Sequence, residues 1–217
     1  AEAQAEAAVT QAELAKSQAD VISAQDLVTS LGAGDVKQAL QDRLDTLKEQ
    51  IAQAEYLADA AVTQAELTNS QVAIDAAQAL INLLGEGTVK QALQDRLDKV
   101  KEDSADNAEK AKAAVDKADD SKAHEDVNTA QTLIDVLGDG TVKEELQDRL
   151  DSIKEAIAHA EQAADAAVTK AEESKTQQDV EDAQVLIDVL ADGVVKQALQ
   201  ERLDAVQAVI TARLAVE

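Results

Sequence analysis

Cysteine, proline, methionine, tryptophan and phenylalanine are all absent from this chain, and its one aromatic residue is Tyr56. Without cysteine there is no disulfide, no thiol nucleophile and no thiolate metal site. Without proline, and with only 7 glycines, long uninterrupted segments are allowed. Strand patterning, with aromatic and β-branched residues alternating between turn signals, is missing. Basic residues are scarce as well: 20 Lys and Arg face 44 Asp and Glu, for a net charge of −24. That balance excludes nucleic-acid binding, which needs clustered Lys and Arg on phosphates. It also excludes docking on anionic membrane surfaces, which attract basic helices. No apolar run is long enough to insert in a membrane, and no secretory signal is visible. The chain opens at Ala1, the start expected of a processed product or of a piece of a longer chain.

What is present is helical. Ala, Leu, Gln, Glu, Asp and Val dominate. A core without aromatics has to be built from Leu, Val and Ile layers with close Ala contacts, so it is thin. The chain also repeats. VKQALQDRLD at Val89–Asp98 recurs with small changes at Val36–Asp45, Val142–Asp151 and Val195–Asp204, and Arg43, Arg96, Arg149 and Arg202 follow one another at 53 residues. This period predicts an all-α chain of four tandem 53-residue three-helix bundles, at residues 1–57, 58–110, 111–163 and 164–217.

Leu40, Leu44, Leu47, Ile51 and Ala54 recur at 4,3 spacing, and the beat runs on through Ala58, Ala61 and Ala65. No Gly or Pro interrupts Val36–Asn69, so one helix of about 50 Å is expected to cross the repeat boundary. Going up about 34 residues and back about 14 advances each copy near 30 Å, and four copies make an elongated rod of about 120 Å. Asp35, Thr88 and Thr141 are predicted N-caps, with Gln38, Gln91 and Glu144 at capping-box spacing and Val194 as a weaker start.

In the first copy, helix A spans roughly Glu2–Lys16, with Ala5, Ala8, Val9 and Ala12 inward. Ser17, Ser70 and Thr176 read as caps of helix B, with Ala123 breaking the series. Helix B carries the inner faces Val21/Ala24/Leu27/Val28/Leu31, Ile74/Ala77/Leu80/Ile81/Leu84, Val127/Ala130/Leu133/Ile134/Leu137 and Val180/Ala183/Leu186/Ile187/Leu190. It ends in a Gly-x-Gly turn, where Gly32, Gly85 and Gly138 fit a left-handed position and Ala191 brings mild strain. The pair of glycines lacks the Lys-Ser/Thr and the flanking strand of a phosphate loop. The second junction departs from the others: Ser104 and Asn107 replace Ile51 and Ala54, so a bend or a frayed helix is expected there.

Candidate sites are few. The four arginines are expected to lie across their bundles onto a carboxylate of helix A or B. His124 and His159 fall at non-equivalent positions and form no metal or catalytic pair. No EF-hand loop pattern is present, which leaves Asp119 and Asp120, or Asp139 in its turn, as candidates for weak Ca²⁺ binding only, and no serine has a His/Asp partner motif. No catalytic, cofactor-binding or metal residue is predicted, and no enzyme. If any surface binds a protein partner, it is the Ala-rich first junction around Ile51, Ala54, Tyr56 and Ala58.

AAVTQAE in helix A, the DVxxAQxLIxxL face of helix B, the glycine turn and VKQALQDRLD together resemble tandem three-helix-bundle modules on surface proteins of Gram-positive bacteria, of the FIVAR and Ebh-like class. The layout is also similar to spectrin repeats. The resemblance implies an extracellular, cell-surface or wall-associated stalk, and some such modules bind host or matrix proteins. The expected function is a structural spacer, with an adhesin-like binding module as the alternative. The apolar end AVQAVITARLAVE adds an expectation of head-to-tail self-association into a fibre.

Overall fold

The protein's computed structural model describes residues 1–214. Ala215, which holds the repeat position of Tyr56, and the last residues of the C-terminal apolar segment lie outside the described residues. Among the described residues there are helices and turns and no strand: α1 (Glu2–Ala15), α2 (Gln18–Thr29), α3 (Asp35–Thr68), α4 (Gln71–Asn82), α5 (Thr88–Ser121), α6 (His124–Asp135), α7 (Thr141–Ser174), α8 (Gln177–Asp188) and α9 (Val194–Leu214). Contacts divide the chain into two compact units. Unit 1 is Ala1–Asp106 with Gly138–Gly140, and unit 2 is Asn107–Leu137 with the residues from Thr141 onward.

Unit 1 contains two apolar cores. Ala5, Val9 and Ala12 of α1 meet Val21, Ala24 and Val28 of α2 and Leu40, Leu44, Leu47 and Ile51 of α3. The second core takes Ala58, Val62 and Ala65 from the far half of the same α3, together with Ile74, Ala77 and Ile81 of α4 and Leu93, Leu97 and Val100 of α5. Helix α3, 34 residues without a break, therefore serves one core with each half. Unit 2 repeats the arrangement, with α7 passing from one core to the other. In each copy the small Ala-x3-Val-x2-Ala face of the first helix lets the leucines of the third come close. Full burial of each Leu or Val contributes roughly 1.5–3 kcal/mol.

Several local expectations need correction. The buried stripe beyond Ala58 runs through Val62 and Ala65, while Ala54 and Ala61 are only half-buried. A straight α-helix drifts from a strict heptad, and Val62 removes more apolar surface from water than Ala61 does, so the face centres on the valine. Leu27 remains partly exposed at 37%, unlike its counterparts Leu80, Leu133 and Leu186, which pack on their cores. The third helix of the first copy is capped by Gly34, and Asp35 is its first residue. The Gly34, Gly87 and Gly193 carbonyls accept from the amides of Gln38, Gln91 and Gln197. Gln38 and Gln91 turn their side chains forward to Asp42 and Asp95, at 2.8 and 2.7 Å, so no capping box forms. Val194 is consequently a first-turn residue and not a missing cap.

The left-handed residues are Lys16, Asn69, Lys122 and Lys175, with φ of 51°, 49°, 53° and 51°, where the first helix turns into the second. Among glycines only Gly140, at 154°, has such a φ. A lysine from the next helix donates to a carbonyl of the turn just past helix B. Lys37 Nζ lies 2.8 Å from Leu31 O, and Lys90, Lys143 and Lys196 do the same at 3.2, 3.0 and 2.9 Å. Gly85 is required by space: a Cβ there would fall 2.1 Å from the Lys16 carbonyl oxygen. A Cβ on Gly138, which belongs to unit 1 by its contacts, would fall at the same 2.1 Å from Asn69 O. Helix α5 is continuous through Ser104 and Asn107, so no fraying occurs there, and the division between the units falls at Asp106 and Asn107.

Candidate functional site

The repeated stretch is where a repeated site would have to lie, and its polar residues can be followed one by one. Its lysine closes helix B, as above. Its second glutamine forms a reciprocal amide pair with a glutamine of helix B. Gln41 and Gln25 exchange bonds of 2.7 and 3.1 Å, and Gln94–Gln78, Gln147–Gln131 and Gln200–Gln184 match them. In the first three copies Lys48, Lys101 and Lys154 add a third donor, each 2.6 Å from the helix-B glutamine oxygen. The sequence reading missed this buckle between helices. Its signal was present, since both glutamines recur in all four copies.

The arginine reaches helix A. Arg43 Nε and Nη2 grip Glu13 at 2.9 and 2.7 Å, while Nη1 meets Glu6 at 3.2 Å and Nη2 also meets Thr10 at 3.4 Å. Arg96 holds Glu66 at 2.9 and 2.8 Å with Thr63 and Asp59 beside it, and Arg202 holds Glu172 at 2.9 and 2.8 Å with Thr169 and Asp165. Such forked, charge-assisted bonds hold the carboxyls of Glu13, Glu66 and Glu172 below their ordinary range. The same bonds raise Arg43, Arg96 and Arg202. The expectation of an arginine lying across its bundle onto a carboxylate holds, and the acceptor is on helix A.

The third copy is different. Arg149 reaches only Asp116, at 2.8 Å, because Asp119 is drawn to Lys122 and Lys112 stands where the neighbouring copies carry Asp59 and Asp165. Helix B of this copy also begins at Ala123 without a side-chain cap. Ser121 and Lys117 compensate by holding Asp126, whose carboxyl is lowered chiefly by the Lys117 bond at 2.7 Å. In the fourth copy Lys170 and the Thr176 cap hold Asp179 in the same way, far below its ordinary range.

The residues predicted to contact a partner do not form one surface. Ile51 and Ala58 are buried in different cores, and Ala54 is half-buried against the second. Tyr56 stands free at 68% exposure beside the partly exposed Leu57. Ile51 shows only an edge, in a hollow of about 260 Å³ with Val21, Ile22 and Glu55. His159 is exposed, and His124 lies on the surface with Nε2 2.8 Å from Glu161 Oε1. Among the described residues no group of His, Asp and Glu is arranged to hold a metal, and no helix is long and apolar enough to cross a membrane.

No family model matches this chain, and no solved structure does. Over 181 residues, 83% of its length, it is 39% identical to the minor extracellular protease Epr of Bacillus subtilis (strain 168). The match spans 27% of that protein, so the likeness is to a part of an extracellular protease and leaves most of the relative's length unmatched.

Proposed function

We propose that the chain is a non-enzymatic spacer of a secreted or cell-surface bacterial protein. In this reading four three-helix bundles stand in line as a stiff, elongated stalk that holds other domains apart. The observation that carries it is the fate of the repeated polar residues. The lysine, second glutamine and arginine of the VKQALQDRLD stretch bond within their own bundles, so these recurring polar residues serve the fold. Helices α3 and α7, each passing from one core to the next, supply the stiffness inside their units. The partial match to an extracellular protease supports secretion, and the chain corresponds on this reading to a non-catalytic part of such a protein. The net charge of −24 keeps the stalk soluble. End-to-end contact between stalks would extend it into a fibre.

Small-angle scattering on the chain and on a version lacking one 53-residue copy tests this. The expected maximum dimension falls by about 30 Å on removal. A globular profile, or no shortening, overturns the reading, and casein hydrolysis by the chain alone overturns its non-enzymatic part. An adhesin-like reading draws on the exposed Tyr56 and Leu57 of the first junction.

A further inference from the structure

The joint in unit 2 carries Ala191 where its counterpart in unit 1 has Gly85, and Ala123 and His124 where that one has Ser17 and Gln18. In unit 1 the α4–α5 turn rests on the α1–α2 turn so closely that a Cβ on Gly85 would meet the Lys16 carbonyl oxygen at 2.1 Å and its carbon at 2.3 Å. The matching residue in the fourth copy is Ala191, and the matching left-handed residue is Lys122. A methyl cannot sit that close to a backbone carbonyl, so the α8–α9 turn has to stand off the α5–α6 turn.

Between them lies a cavity of about 340 Å³. Its apolar walls are Ile157 and Ala160 of α7, Leu190 and Ala191 of the turn, and Val194 and Val195 of α9. On its rim His124 Nε2 lies 2.8 Å from Glu161 Oε1. The rim lysines are already engaged, Lys122 by Asp119, and Lys196 by Asp192 at 3.2 Å and the Leu190 carbonyl at 2.9 Å. The charges of Lys122, Lys196, Asp192 and Glu161 are thus engaged within the protein, and Glu125 adds one further carboxylate to the lining. A volume within the usual range of about 300–1,000 Å³, apolar walls and a few polar groups at the edge are the features of a small-molecule site.

We propose that this cavity, with Ala191 in its wall, binds a small, uncharged, chiefly apolar molecule the size of one or two rings, with a polar edge turned to the His124–Glu161 pair. The site is independent of the spacer reading, since a stalk can carry it or lack it.

Indole is the probe, because its one N–H can reach the second lone pairs of the Glu161 carboxylate. Methyl NMR of the full chain is expected to show saturable shifts at Ile157, Leu190 and Val195, with a Kd of about 1 mM or tighter. Two substitutions should weaken binding by about tenfold or more. Ala191→Gly lets the turn settle on the Lys122 carbonyl, and Ala156→Leu fills the cavity from an exposed position on α7 that lies outside the core. Because Ala156→Leu leaves the turn untouched, it decides the matter if Ala191→Gly disturbs folding. The proposal is overturned if indole gives no saturable shift at its solubility limit. Shifts equally large at Val9 and Val62 in unit 1, or parent-like affinity in Ala156→Leu, overturn it as well.

Discussion

Gly85→Ala and Gly32→Ala are the same chemical change in the same Leu-Gly-x-Gly turn, and they should differ sharply. At Gly85 the new methyl carbon would lie 2.1 Å from Lys16 O, 2.3 Å from Lys16 C and 2.7 Å from Ala15 O. All three are backbone atoms of a turn already held left-handed, so no side chain can swing aside. The turn itself must lift, and overpacking of this kind costs roughly 1–3 kcal/mol. At Gly32 nothing lies within 4 Å of the added Cβ. Neither glycine has a left-handed φ, so alanine fits the backbone at both. Gly32→Ala should therefore be neutral, or stabilising by about 0.4–1 kcal/mol through the unfolded chain. Thermal and urea unfolding of the full chain provide the assay, with both variants measured beside the parent. A chain of this length moves about 2–4 °C per kcal/mol, so Gly85→Ala should lower the first midpoint by several degrees while Gly32→Ala does not. Equal losses from both, or no loss at Gly85, would refute the account of the joint.

Further outcomes follow from the same contacts. Ser104→Ile places an isoleucine where Ile51, Ile157 and Ile210 are 9, 6 and 8% exposed, and should stabilise unit 1 by about 1–2 kcal/mol; an unchanged urea midpoint would speak against the second core being short of a residue. Arg96→Ala should cost more than Arg149→Ala, since Arg96 grips Glu66 with two bonds and Arg149 reaches only Asp116. Both arginines are more than one-third exposed, so the difference should stay near 1 kcal/mol or below, and equal midpoints for the two variants would count against it. The pH dependence has a defined sign. Glu13, Glu66 and Glu172 have folded pKa values below their unfolded value of about 4.3, so their contribution is complete above that pH and is lost as pH falls through the folded values. The melting temperature should therefore drop below about pH 4, and Arg→Ala variants should flatten that drop.

Much of this was legible in the chain. The absence of helix breakers from Val36 to Asn69 made α3 legible. Ser17, Ser70 and Thr176 were recognisable as caps because their hydroxyls act on neighbours three residues away. The errors arose where a residue's role depends on something distant in sequence. Gly85 looked like a helix cap, and is a close approach to Lys16. The partner surface drawn around Ile51, Ala54, Tyr56 and Ala58 divided, because Ile51 ends the half of α3 that serves one core and Ala58 lies in the half that serves the other.

Composition and periodicity by themselves determined that this protein is helical, repetitive and acidic, because those properties follow from local spacing and from the charges each residue carries. Tertiary structure alone decided which carbonyls Gly85 and Gly138 approach, which glutamines pair and where the cavity beside Ala191 lies. Those depend on two segments meeting in space, at distances where one carbon atom determines whether they touch.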